Sequence, residues 1–174
     1  WLSPGDNPHE NAKFLTVICA LIKAVDTHAD LLRAAVASPG NDHRLGANEA
    51  PPAIISIFLG DQLTDIIDQI EQGGANSSQR GGVIELGVDS IPNLPRGNTD
   101  RNRTSPFAFT GNKFEFRAVG SEQNPSAANV VLNTIVAEAM DEISTKLEKA
   151  TAGGGDFNAA LQSILSDIVR KHKR

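Results

Sequence analysis

The chain predicts an α+β fold in which long helices pack on a small, largely antiparallel sheet. Three observations carry this. Apolar residues recur at helical spacing along several long stretches, the run Ala53-Ile54-Ile55-Ser56-Ile57-Phe58-Leu59 is short and β-branched, and Lys113-Phe114-Glu115-Phe116-Arg117-Ala118-Val119 alternates with period 2.

Asn7-Pro8-His9-Glu10 opens the first element with a capping side chain, a proline at the first helical position and a carboxylate in the first turn. Phe14, Val17, Ile18, Leu21, Ile22 and Val25 follow at helical spacing, so a helix is expected over 8–26. A second helix is expected from Ala29 to Ala37, stopped by Ser38-Pro39-Gly40-Asn41. Pro51-Pro52 precede the run at 53–59, which reads as a buried strand. Leu63, Ile66, Ile67 and Ile70 then mark a helix after Gly60-Asp61. From Gly73 to Asn102 the composition turns to Gly, Ser, Asn, Pro and Arg, with one strand expected at Val83–Leu86. This is a long excursion of the kind that forms lids or interface arms.

Gly111-Asn112, between Phe109 and Lys113, has the residues of a hairpin turn. Asn124-Pro125 or Ser126 begins a long helix with a seam of Val131, Ile135, Ala139, Ile143 and Leu147. Gly153-Gly154-Gly155 breaks it; no lysine followed by Ser or Thr completes a phosphate loop there. Asp156 caps a last helix carrying Phe157, Leu161, Ile164, Leu165 and Ile168.

With 174 residues, 40% apolar and 21% charged, the chain can bury one real core and is expected to form a single segment over 1–174. A net charge of −5 argues against a general nucleic-acid binder. The basic tip Arg170-Lys171-His172-Lys173-Arg174 reads as a complement to a helix dipole. Cys19 is the only cysteine and sits among Val17, Ile18, Ala20 and Leu21, so a buried thiol is expected and no disulfide can form within the chain. No secretory leader or membrane-length apolar run is visible, and a cytoplasmic location is expected. The start at Trp1 and the stop inside a basic helical run read as truncation at both ends.

Three clusters concentrate chemically capable groups. On the strand at 113–119, Lys113, Glu115 and Arg117 share one face and Phe114, Phe116 and Ala118 the other. Positions two apart lie roughly 6.5–7 Å from each other, so Glu115 and Arg117 are expected side by side but too far apart to satisfy each other. That suits a ligand needing a metal-binding carboxylate and a phosphate-binding fork together; a solvated charged face is the alternative. The second cluster is Asp100-Arg101-Asn102-Arg103-Thr104-Ser105-Pro106, where a hairpin at Gly111-Asn112 brings Arg103 toward Arg117. The third is the loop Asn41–Pro52, which carries His43, Arg44 and Glu49 into the strand at 53–59. Together they fit handling of phosphate or carboxylate oxygens. Surface ion pairs are the other reading of the arginines. The four histidines lack metal-ligand spacing, and no Gly-x-Ser-x-Gly nucleophile occurs.

These clusters resemble glutamine synthetase, and specifically the C-terminal part of the catalytic domain in its type III class. Arg44-Leu45-Gly46-Ala47-Asn48-Glu49-Ala50-Pro51 resembles the family's Arg-Leu…Glu-Ala-Pro loop. Asn102-Arg103-Thr104-Ser105 resembles its Asn-Arg-Ser-Ala motif, and Phe114-Glu115-Phe116-Arg117 with the helix behind it resembles its Glu-x-Arg strand. The class rests on the whole 41–52 segment and the long insert at about 60–102.

The resemblance implies ATP-dependent ligation of ammonia to glutamate through γ-glutamyl phosphate, with Mg²⁺ or Mn²⁺. Glu115 would be a metal ligand, Arg103 and Arg117 would stabilise the phosphoryl group in flight, Arg44 would hold glutamate, and Glu49 would sit on a closing flap. It also implies a large ring-type homo-oligomer, with no nucleic acid or membrane partner. Two departures are visible. Where the more familiar classes carry a second arginine this chain has Ala108, and its Arg44–Glu49 loop is one residue shorter. The family's other metal carboxylates and its metal histidine have no counterpart here, so the segment alone is expected to be inactive. A ligase joining a different amine, and a non-catalytic assembly segment, are the alternatives.

Overall fold

A computed structural model describes residues 1–38, 56–78, 83–84, 94–95, 105–118 and 123–173. Among the described residues five α-helices run in the order α1 (Ala12–Thr27), α2 (Ala29–Ala35), α3 (Asp61–Glu71), α4 (Ser126–Thr151) and α5 (Phe157–His172). The strands are β1 (Ile57–Phe58), β2 (Val83–Ile84), β3 (Leu94–Pro95), β4 (Phe107–Phe109) and β5 (Phe114–Phe116). They make a three-stranded sheet of order β1-β4-β5 and a two-stranded one, β2-β3. Among the described residues only β1–β4 is parallel. The α+β expectation therefore stands.

Helix α1 is the centre. Phe14, Ile18, Cys19, Ala20, Ala24 and Val25 are almost fully buried, and the helix packs against both α4 and α5. It starts later than the sequence predicts. Asn7 spends its side-chain amide on Glu10 Oε2, 3.0 Å away, and Pro8–Glu10 forms only a single 3₁₀ turn. Asn11 is the working cap: its Oδ1 accepts from Phe14 N at 3.1 Å, and its amide donates to Ser3 O and Pro4 O. Helix α2 stops at Ala35, two residues early.

The seam of α4 is buried as expected at Ile135, Ala139 and Ile143, with Val131 and Leu147 packed at its edges. Glu142 of α4 accepts from Lys23 of α1 at 2.5 Å and from Lys146 at 2.8 Å. His28 Nε2 lies 2.7 Å from Glu138 Oε2 across the same interface. The two lysines, Lys146 first, hold the Glu142 carboxyl down at about 2.

Asp156 caps α5 by accepting from Ala159 N at 3.0 Å. Phe157, expected in the seam, is 54% exposed, because the first residue after the cap points away from the groove filled by Leu161, Leu165, Ile168 and Val169. The basic tip is structural, as predicted, but through groups on other helices. Arg170 Nε donates to Glu71 O at 3.1 Å, Lys173 Nζ donates to Asp68 and Glu71 of α3, and His172 Nδ1 lies 2.8 Å from Asp26 Oδ2 of α1.

The strands are shorter than the sequence predicts. Of the 53–59 run, Ile57–Phe58 is strand and only half-buried; 53–55 lie outside the described residues. In the 73–102 excursion Val83–Ile84 is strand, and its partner Leu94–Pro95 was not expected. The stretch 61–71 is the helix α3, whose Leu63, Ile66, Ile67 and Ile70 belong to the core. Burial of Cys19 is complete and pushes its thiol up to about 12.

Candidate functional site

The site rests on the β4–β5 hairpin. Thr110 N donates to Lys113 O at 2.9 Å, and Gly111 turns the chain at φ 104°, the left-handed region glycine enters without steric cost. Register pairs Phe107 with Phe116, Ala108 with Glu115 and Phe109 with Phe114. Directly paired residues share a face, so the two sides of the hairpin differ completely in character.

One side is aromatic. Phe107 stacks on Phe114 with centroids 4.8 Å apart and meets Phe116 edge-on at 6.1 Å. Phe109 touches Phe114 at 5.3 Å and Phe14 of α1 at 5.9 Å. Phe114 and Phe116 flank Glu115 in sequence, and Phe107 holds both. The hairpin is thereby clamped to the helical core at the rings that bracket the carboxylate.

The opposite side carries Ala108 and Glu115, with Arg117 just past the strand end. Arg117 N donates to Pro106 O at 2.7 Å, extending the ladder by one rung. Its Nη2 lies 3.2 Å from Glu115 Oε2 and its Nη1 donates to Ser105 O at 3.3 Å. The expectation that Glu115 and Arg117 cannot satisfy each other is wrong. Strand spacing fixes where their Cβ atoms sit, but the three-carbon stem of arginine spans the remaining gap. Lys113 Nζ approaches the other oxygen, Glu115 Oε1, at 3.6 Å. One carboxylate thus lies between two cations.

Exposure separates the partners. The Arg117 side chain is 12% exposed and Glu115 41%. The guanidinium is a fixed fork braced on Ser105, while the carboxylate remains open to an incoming group. Ser105 stands in the second sequence cluster as one of its hydroxyl residues, but its contribution here is a main-chain carbonyl. Lys113 was visible only as one residue of a charged face.

Arg44, Glu49 and Arg103, with His43, lie outside the described residues. Ala108 is fully buried directly opposite Glu115, so the methyl replacing the expected second arginine sits beside the carboxylate. Among the described residues no three His, Cys, Asp or Glu side chains lie together as a metal cage. Glu115 nevertheless fits as a single ligand, since Mg²⁺ and Mn²⁺ take hard oxygen donors and Mg²⁺ is commonly held by one or two carboxylates plus substrate phosphates.

No protein-family model matches the chain. It is 50% identical over 177 residues, covering 99% of its length, to a type-3 glutamine synthetase of Dictyostelium discoideum. Glutamine synthetases of Bacteroides fragilis and Butyrivibrio fibrisolvens are 45% and 43% identical over 96% and 99% of the chain. Over nearly its whole length the chain is thus similar to glutamine synthetases, one of them named type-3. It spans about a quarter of the relatives it matches, 23% of the first two and 24% of the third, in their C-terminal part. The α+β architecture seen here, long helices on a small sheet, is consistent with a glutamine synthetase segment. No helix among the described residues is long and apolar enough to cross a membrane.

Proposed function

We propose that this chain forms part of the catalytic site of an enzyme that joins ammonia to glutamate at the expense of ATP, through γ-glutamyl phosphate. What carries the proposal is the Glu115–Arg117 pair: an open carboxylate and a braced guanidinium, 3.2 Å apart, on the side of the hairpin turned away from its aromatic clamp. Similarity over 99% of this chain to a type-3 glutamine synthetase supports it.

The chemistry follows from what amide formation requires. A carboxylate has no leaving group, so its oxygen must first take a phosphoryl group, and the charge gathering on that group must be met by positions fixed in advance. Arg117 supplies such a fork, and its bracing by Ser105 lowers the cost of holding it in place. Arg103, two residues before Ser105 in sequence, is proposed as the second guanidinium. Glu115 would hold Mg²⁺ or Mn²⁺, which when bound screens the polyphosphate charge. Arg44 is proposed to grip glutamate, and Glu49 to lie on the flap that keeps water from the acyl phosphate. A site for two or three cations needs more carboxylates than Glu115 and Glu49. A cytoplasmic, ring-forming homo-oligomer completes the proposal.

The test is turnover in the full-length protein that carries this segment. Glu115→Ala and Arg117→Ala are each expected to lower glutamine formation by roughly 10³-fold or more, the range seen when a charge-stabilising group is removed, with assembly unchanged by size-exclusion chromatography. Near-normal turnover in either variant rejects its assigned role. Comparing ammonia with other amines as acceptors separates glutamine formation from a related ligation.

A further inference from the structure

The helical layer holds a cavity of its own. Leu15 of α1, Ile70 of α3, and Leu161 and Leu165 of α5 are all buried core residues, and together they wall a space of about 200 Å³. Its lining comes from α1 and the 3₁₀ turn before it, from α3 and the turn after it, and from α5. The β4–β5 hairpin contributes nothing to it, so it is separate from the Glu115–Arg117 site.

Polar side chains line the same space. His9 enters from the 3₁₀ turn, and Asn158 and Gln162 lie one helical turn apart on α5. Gln162 is fixed there: its Nε2 donates to Gly73 O, which leaves its Oε1 as an acceptor. Gly74 makes room for this, because a methyl in its place would collide with the Gln162 amide. The His9 side chain is only 18% exposed, and among the described residues its Nδ1 is shielded from solvent without a hydrogen-bond partner. Its Nε2 lies 3.9 Å from Glu10 Oε1, the far limit of an ion pair. A buried nitrogen left unbonded is costly, and the cavity beside His9 has space for a partner. A half-turn of the ring about its terminal torsion exchanges its edges, so either nitrogen can serve.

We propose that this cavity binds a small neutral amphiphile: one aromatic ring, or a branched chain of that size, carrying a primary amide. Size sets the body. An apolar cavity of roughly 150 Å³ takes up benzene, so about 200 Å³ has room for a ring and a short head. The aliphatic walls favour that apolar body over a fully polar one. Chemistry sets the head. Gln162 offers an acceptor and His9 either a donor or an acceptor, and a primary amide answers both. Charge excludes the ionised alternatives: a carboxylate would meet Glu10, and an ammonium would compete for it with His9. This assignment does not rest on the function proposed above.

The experiment follows the fluorine line of 4-fluorobenzamide in the presence of the full-length protein that carries this segment. The line is expected to broaden, with a dissociation constant in the millimolar range, and to stay broad when glutamate and ATP are added. Ala75→Phe fills the cavity from the turn after α3 and is expected to abolish the broadening. Should that variant fail to assemble, Ala75→Leu is expected to weaken binding in the same direction. His9→Phe keeps the ring and removes its nitrogens; it is expected to weaken 4-fluorobenzamide about fivefold and to leave fluorobenzene within about twofold. No broadening with the wild-type protein overturns the proposal, as does broadening that both Ala75 variants retain. Displacement of the probe by glutamate or ATP overturns it too, since the probe would then lie in the ligation site. Equal weakening of both probes by His9→Phe overturns the amide assignment.

Discussion

The helical layer and the β4–β5 hairpin solve the same problem by different means. Helices α1, α4 and α5 bury long continuous seams and are cross-tied by Lys23–Glu142, His28–Glu138 and His172–Asp26. The hairpin has strands of three residues each and a correspondingly short backbone ladder. It is held by four phenylalanine rings, one face of which reaches Phe14 on α1. Redundant burial makes the helical layer tolerant, whereas concentration of contacts in one ring, Phe107, makes the hairpin fragile. The candidate site stands on the fragile part because a short two-faced hairpin can present charge on one side while anchoring on the other.

That contrast can be broken most directly at Phe107. Its truncation to alanine is expected to cost roughly 3–5 kcal/mol, as for other fully buried aromatics. Hydrogen exchange at Thr110 and Arg117, whose amides close the hairpin, is expected to rise above the level set by global unfolding. Equal loss of protection in α1 and the hairpin would mean the two regions form one cooperative unit.

A smaller effect is expected at the start of α5. Asp156→Ala removes the cap bond to Ala159 N and is expected to lower stability by about 1 kcal/mol, measured by denaturant midpoint. The hairpin amides should not respond beyond that global shift.

The smallest effect sharpens the comparison by pH. The folded-state value of Glu142 lies near 2, below the ordinary 4.5. Its contribution is therefore complete above 4.5 and is lost as pH falls toward 2. Glu142 is 42% exposed and so is screened, which keeps the effect modest. Glu142→Gln is expected to flatten this part of the acid-unfolding curve without altering the Phe107 response.

Much of this was legible from the chain. The seams of α1 and α4, the α5 cap at Asp156, the burial of Cys19 and the hairpin at Gly111-Asn112 all appear where residue spacing puts them. Asn7 misled because two asparagines four apart can each cap, and the choice depended on where Glu10 and the Ser3–Pro4 carbonyls came to lie. For the site, alternation put Glu115 and Arg117 on one face but erred on their contact, since side-chain reach is not contained in strand spacing. Arg44, Glu49 and Arg103 rest on resemblance to the family and lie outside the described residues.

Periodicity determined the helices and the polar and aromatic faces of the hairpin, because each is written in residues near one another in sequence, while the likeness to glutamine synthetase rests on the motifs at 44–51, 102–105 and 114–117. Only tertiary structure decided that Lys173 would serve α3, that Ser105 would brace Arg117, and that His9 and Gln162 would line one cavity. Each of those depends on which distant segments pair, and pairing is settled by the packing of the whole core.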